Sequence, residues 1–267
     1  MLALLLATVV ATTPADIAFE RLYNADFAGA QKVINEALRQ EPANAFYYAV
    51  RAASYSFGEM NRLHILETDF FLDDENLSSK EKLKPDPAVR AALYADVAQA
   101  RKLASARLAV NPDDRDALFT MCMAASVITD YTGLVERRQW RSVKLESEVN
   151  VYAQKLLALH PPVVDAYLNV GSVEYIVGSL PFFVRWFVHY DNIQGQKGRG
   201  IADLKLVAAT GRYYGPYAKI LLAVACLRDK RTREARAWLA EYARDYPGSP
   251  IVRHEIETLD RKLAAGK

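Results

Sequence analysis

Residues 11–44 read ATTPADIAFERLYNADFAGAQKVINEALRQEPAN, and the spacing of the small residues in this stretch decides the fold. Counting back from Pro42, Ala37 lies five residues earlier, Ile34 eight, Ala30 twelve and Ala18 twenty-four. The same offsets from Pro247 give Tyr242, Leu239, Ala235 and Ala223. Ten residues beyond Pro42, Pro112 and Pro161 stand Ala52, Cys122 and Gly171, all small; ten beyond Pro247 stands Glu257, where the pattern stops. Two antiparallel helices approach closely only where small residues face each other, with larger ones a turn away filling the gap. A proline cannot continue a helix, so it closes the second member of each pair. One pair cannot bury its apolar stripe alone, whereas stacked pairs bury a continuous core. The spacing predicts an all-α chain.

This small–Ala–large–Ala–Pro frame resembles the tetratricopeptide repeat (TPR), a helix–turn–helix unit of about 34 residues. The match is best over residues 11–44 and 216–249. Tyr48, Leu118 and Tyr167 stand where the family has its tryptophan, and Arg107 where an alanine is usual. Repeat starts fall near 11, 45, 115, 164 and 216, so the steps are 34, 70, 49 and 52 residues. The excess over the bare repeat predicts insertions at about 60–87, 129–141 and 178–193, which in repeat arrays gather on one face, often the binding face. Ser249 and Pro250 open a last helix whose Ile251, Ile256, Leu259 and Leu263 form one stripe, with Arg253, Glu255, Glu257, Asp260 and Arg261 on a polar side. The resemblance implies a TPR-like α-solenoid of about five helix pairs with insertions and a C-terminal capping helix, spanning residues 16–267.

Ahead of it, Leu2 to Ala11 is an apolar or small run ended by Thr12, Thr13 and Pro14. It is too short to span a bilayer, which takes about 20 apolar residues. It fits the apolar region of a secretory signal peptide over 1–15, although no lysine or arginine precedes it. Net charge is +2, which offers no global field for nucleic acid. The charge is uneven: residues 59–81 hold seven acids against two bases, and residues 197–253 twelve bases against five acids. That asymmetry reads either as solvated helix faces or as a bipolar surface that orients a partner.

If the TPR geometry is transferred, the first helix of each pair lines a concave groove. The partner-facing residues are then Phe46, Phe119, Met123, Leu168, Tyr175, Tyr217, Ile220 and Leu227, with Asp116 and Asp165 among the polar positions. The TPR subclass that clamps a terminal carboxylate uses Lys, Asn and Arg on these helices, where this chain offers Asn169 and Arg228. The stretch 178–194, GSLPFFVRWFVHYDNIQ, places Phe182, Phe183, Trp186, Phe187 and Tyr190 on one helical face. That helix either folds back onto the array or contacts a partner or a membrane interface. The strings around 177–184, Lys197-Gly-Arg-Gly200 and Arg212-Tyr-Tyr, with Ser79-Lys-Glu-Lys-Leu-Lys-Pro-Asp-Pro87, resemble a group of exported bacterial TPR proteins for which no activity is implied.

Signals of chemistry are weak. The four histidines form no H-E-x-x-H pair and the two cysteines no metal spacing. No G-x-S-x-G elbow occurs. Asp73-Asp-Glu-Asn76 lacks the alternation and glycine of a calcium loop, and Gly195-Gln-Lys-Gly-Arg-Gly200 lacks the ending of a P-loop. The expectation is a non-catalytic scaffold without metal or cofactor, binding a protein or peptide in the bacterial periplasm or envelope. The alternatives are docking to a membrane through residues 181–190, or a cytoplasmic TPR adaptor.

Overall fold

A computed structural model describes residues 12–72, 83–179 and 195–266; the apolar leader 1–11, the acidic run 73–76 and the aromatic residues Phe182, Phe183, Trp186, Phe187 and Tyr190 lie outside them. Among the described residues there are twelve α-helices and no strand. The pairs are α1 (Pro14–Tyr23) with α2 (Phe27–Gln40), α3 (Ala45–Arg62) with α5 (Pro87–Val110), α6 (Arg115–Asp130) with α7 (Gln139–Ala158), α8 (Tyr167–Ser179) with α9 (Lys197–Thr210), and α10 (Gly215–Arg228) with α11 (Thr232–Asp245). The short α4 (Thr68–Leu72) interrupts the second pair, and α12 (Pro250–Ala264) closes the series on α11. Helix α1 begins inside the segment 1–15, and its Ala15 is buried.

The small-residue frame counted from Pro42 and Pro247 belongs to the packed interior. Ala18, Ala30, Ile34, Ala52, Ala223, Ala235 and Leu239 have no accessible surface, and Ala37, Cys122 and Tyr242 are buried as well. Polar caps punctuate the starts: Thr13 and Asp16 form a reciprocal capping box, Asn44, Asp86 and Asp114 accept the first free N–H groups of α3, α5 and α6, and Ser249 does so for α12. Helix ends repeat too. Ala25, His64 and Lys230 take left-handed backbone, and the next residue donates back to a carbonyl five positions earlier at 2.8 Å in each case. Ala25 and Lys230 both lie seven residues past the small frame residue, Ala18 or Ala223. This is the left-handed C-terminal cap, recurring at equivalent places in the two best-matched units.

Small residues matter most between α8 and α9. A Cβ on Gly200 would lie 2.5 Å from the Gly171 carbonyl oxygen and 2.6 Å from the Tyr175 nitrogen. Gly200 thus serves close packing from inside α9, which starts at Lys197.

The array closes on itself. The Tyr23 hydroxyl donates to the Tyr213 carbonyl and the Tyr242 hydroxyl to the Tyr23 carbonyl, both at 2.6 Å, while the Gly248 N–H donates to Asn24 Oδ1 at 2.8 Å. The side chains of Phe19 and Tyr23 on α1 therefore sit among residues of α10, α11 and the loop before α10. Glu255, expected on the polar side of α12, is buried instead, because its carboxylate accepts the Thr68 N–H at 3.1 Å and the Thr68 hydroxyl.

The first two insertions come together. Glu59 accepts from Arg62 and from the Asp86 N–H, Arg90 donates to Glu136 at 2.6 Å, and the Arg137 guanidinium lies 5.1 Å from the centre of the Phe70 ring. A single π-helical turn, Tyr131–Val135, ends α6 there. The stretch Arg115–Val135 is long and apolar enough to cross a membrane, but 78% of its most apolar window is buried inside the fold.

Candidate binding pocket

The site begins with Asp165. This carboxylate, buried in the short 3-10 turn Val164–Ala166, accepts the N–H groups of Arg212 at 2.9 Å, Tyr213 at 2.8 Å and Tyr214 at 2.6 Å. Three backbone donors on one carboxylate pin the loop between α9 and α10. The loop then holds the Tyr213 ring against three others, its centre 4.7 Å from Phe19, 5.3 Å from Phe46 and 5.7 Å from Phe119. Burial pushes the Tyr213 hydroxyl up to about 12.

Above this aromatic floor opens a pocket of about 510 Å³. Its wall is made where α1, α3, α6 and the 3-10 turn begin, at Thr13, Asn44, Arg115 and Val164. Helix starts carry partial positive charge, although the N–H groups that open α1, α3 and α6 already meet capping side chains, while the 3-10 turn has no side-chain cap. Arg107, Arg115 and Arg212 form the rim. The Arg212 guanidinium lies 4.9 Å from the Tyr213 ring centre and meets Asp16 at 3.2 Å. Burial raises the affinity of Asp16 for its proton, but the Thr13 backbone and hydroxyl bonds and Arg212 together outweigh it, leaving the carboxyl below its ordinary range. Arg107 meets Asp114 through two bonds of 2.8 and 2.9 Å, and Arg115 donates to the Pro161 carbonyl at 2.5 Å. Among the described residues, no histidine or cysteine lines the pocket. The lining offers flat apolar surface on Phe46, Phe119 and Tyr213, and guanidinium groups on Arg107, Arg115 and Arg212 beside the carboxylate of Asp116.

The eight residues expected along one groove are distributed. Phe46 and Phe119 meet at 5.6 Å between ring centres and line this pocket. Met123 and Leu168 are buried core. Tyr217 and Ile220 line a separate apolar cavity of about 90 Å³, into which Phe19 and Tyr23 of α1 also face. Tyr175 carries the Lys197 ammonium 5.6 Å from its ring centre, and Leu227 packs with the C-terminal helices. Among the described residues, Phe19 and Leu22 of α1 and Tyr213 pack in the same cluster as Phe46, Phe119, Met123 and Leu168. Asn169 is engaged with Ser126 and Cys122, and Arg228 donates to the Phe71 carbonyl at 2.8 Å. The sequence marked Arg107, in a place where the repeat has alanine, and Arg212, in the Arg212-Tyr-Tyr string, but gave neither a place in a site, and Arg115 did not stand out.

A second polar feature lies at the end of α6. Asp130 and Glu146 are partly buried, and both carboxyls are pushed up to about 7, Asp130 by burial and Glu146 by burial and then by Asp130. Each acid holds its proton more tightly folded than unfolded, so this contribution is full below the unfolded values near 4 and is lost as pH rises through 7. Unfolding free energy should fall by about 2–3 kcal/mol between pH 4.5 and 7.5 from this pair, after discounting for solvent access. Chemical denaturation of Asp130→Asn/Glu146→Gln across that range checks it: the slope should flatten, and an unchanged slope refutes the assignment.

The described residues define an all-helical protein of neighbouring helix pairs with one aromatic, arginine-rimmed pocket at the helix starts. No model of a known protein family matches the chain, and no curated protein matches it. Among the described residues, no group of three or more metal-ligating side chains comes together.

Proposed function

We propose that this chain is a non-catalytic, TPR-like scaffold of the bacterial cell envelope that holds a segment of another protein in the pocket over Phe46, Phe119 and Tyr213. The observation that carries this reading is the pocket itself, with a stacked aromatic floor and three guanidinium groups where four helical segments begin. A side chain with an apolar ring and a nearby carboxylate suits both halves of such a site. Support for the TPR-like reading comes from the burial of the small-residue frame and from the repeated left-handed helix ends. The leader at 1–11 supports export.

A library of acidic-aromatic peptides, measured by fluorescence polarisation, tests the binding. Phe119→Ala should weaken any selected peptide by about tenfold or more, the loss of one buried aromatic contact, while Arg212→Glu should weaken it further at low salt than at high salt. Peptides that bind both variants as they bind the parent would remove the pocket from consideration. Sequencing the amino terminus of the cell-derived protein tests export, and an intact Met1 counts against it.

A further inference from the structure

Helix α7 presents its inner side to the core through Val149, Ala153 and Leu156, and the Ser142 hydroxyl fixes its rotation by donating to the Thr129 carbonyl at 3.0 Å. The opposite side carries Trp140, Val143, Ser147 and Val151 at helical spacing. Trp140 is 87% exposed, Val143 47% and Val151 51%. Soluble surfaces seldom leave an indole so bare, since it is one of the largest apolar groups a chain possesses.

Cations surround the stripe. The run Arg137-Arg-Gln-Trp-Arg-Ser-Val-Lys144 has four basic residues and no acid. Arg138, Arg141, Lys144 and, three turns on, Lys155 are exposed. The acid on this side, Glu148, is taken by Arg101 at 2.7 Å, and the buried Glu136 lies between Arg90 at 2.6 Å and Arg138 at 3.7 Å.

We propose that this face of α7 docks on an anionic lipid surface, with Trp140 and Val143 entering the headgroup boundary and Arg138, Arg141, Lys144 and Lys155 meeting lipid phosphates. A bilayer fits better than an acidic protein because the bare stripe is one helix wide and sets an indole beside exposed cations. The long basic side chains can lay their stems along it while their heads stay in water. The apolar area is small, so attachment depends on charge, and each cation removed should weaken it about fivefold. This inference does not rest on the pocket, because the two surfaces share no residue.

Flotation of the full chain with vesicles tests it. The protein should rise with phosphatidylcholine–phosphatidylglycerol vesicles, stay behind with phosphatidylcholine alone, and release as salt is raised. Trp140→Glu should weaken binding more than about tenfold, and Arg141→Glu/Lys144→Glu comparably, with melting temperatures unchanged because these side chains are exposed. The double charge reversal is the safer variant, since neither residue has packing to lose. Failure of the parent protein to bind the anionic vesicles overturns the proposal, as do variants that bind like the parent. So does a dimer of the parent protein that Trp140→Glu dissolves, which would give this face to a second copy.

Discussion

Gly200→Ala should destabilise the protein by about 3 kcal/mol, the upper part of the range for overpacking. Alanine is the better helix former, and on an exposed helix the exchange would gain about 1 kcal/mol. Here the new methyl group meets the Gly171 oxygen at 2.5 Å and the Tyr175 nitrogen at 2.6 Å, both backbone atoms of α8 that no rotamer change can move. The helices would have to separate, and the buried contacts of Leu204 and Val207 on the same face would loosen with them. Thermal unfolding should show a clear drop in midpoint, whereas Gly198→Ala, with open space at its Cβ, should leave it the same or raise it. Equal behaviour of the two alanine variants would show that the close approach is not a determinant of the fold. Gly171→Leu should act in the same direction, since its Cβ would meet Asp203 at 2.9 Å and the Gly200 oxygen at 3.0 Å.

Asp165→Ala should cost about 4 kcal/mol and abolish the pocket. Three N–H groups lose their acceptor, and each buried unsatisfied donor costs about 1–3 kcal/mol before water enters. The loop would shift to find new partners, carrying Tyr213 off Phe46 and Phe119 and releasing Arg212 from its place beside Asp16. Peptide binding should therefore be lost together with stability. Asp165→Asn is the milder control, because its amide oxygen still accepts hydrogen bonds. If Asp165→Ala binds peptide with unchanged affinity, the loop does not build the site.

Helical pairing was legible because it rests on local spacing. Ala30, Ala37, Ala223 and Ala235 report their packing through offsets that any reader of the chain can count. The first two insertions, at 60–87 and 129–141, were legible for the same reason, as steps longer than the repeat. Closure of the array was not, because Phe19 meeting Tyr213 and Asn24 meeting Gly248 are pairings across about two hundred positions, and no periodicity encodes them. Half of the pocket could be read, through Phe46 and Phe119, which occupy regular positions on first helices. The rim could not, since Arg107 sits in a helix's last turn, Arg115 at the first residue of its helix and Arg212 in a loop. Glu255 was misplaced because burial there depends on Thr68, a partner supplied by the first insertion.

The contacts that join Tyr23 and Asn24 to Tyr213, Tyr242 and Gly248 change how such a chain must acquire its shape. An open stack can nucleate anywhere and grow neighbour by neighbour. A stack whose two ends seal against each other must also bring distant termini together, and the entropy of that step rises with the length between them. Loop-closure entropy favours a late seal, and the aromatic floor, which borrows Phe19 from one end and Tyr213 from near the other, is complete only once those ends have met.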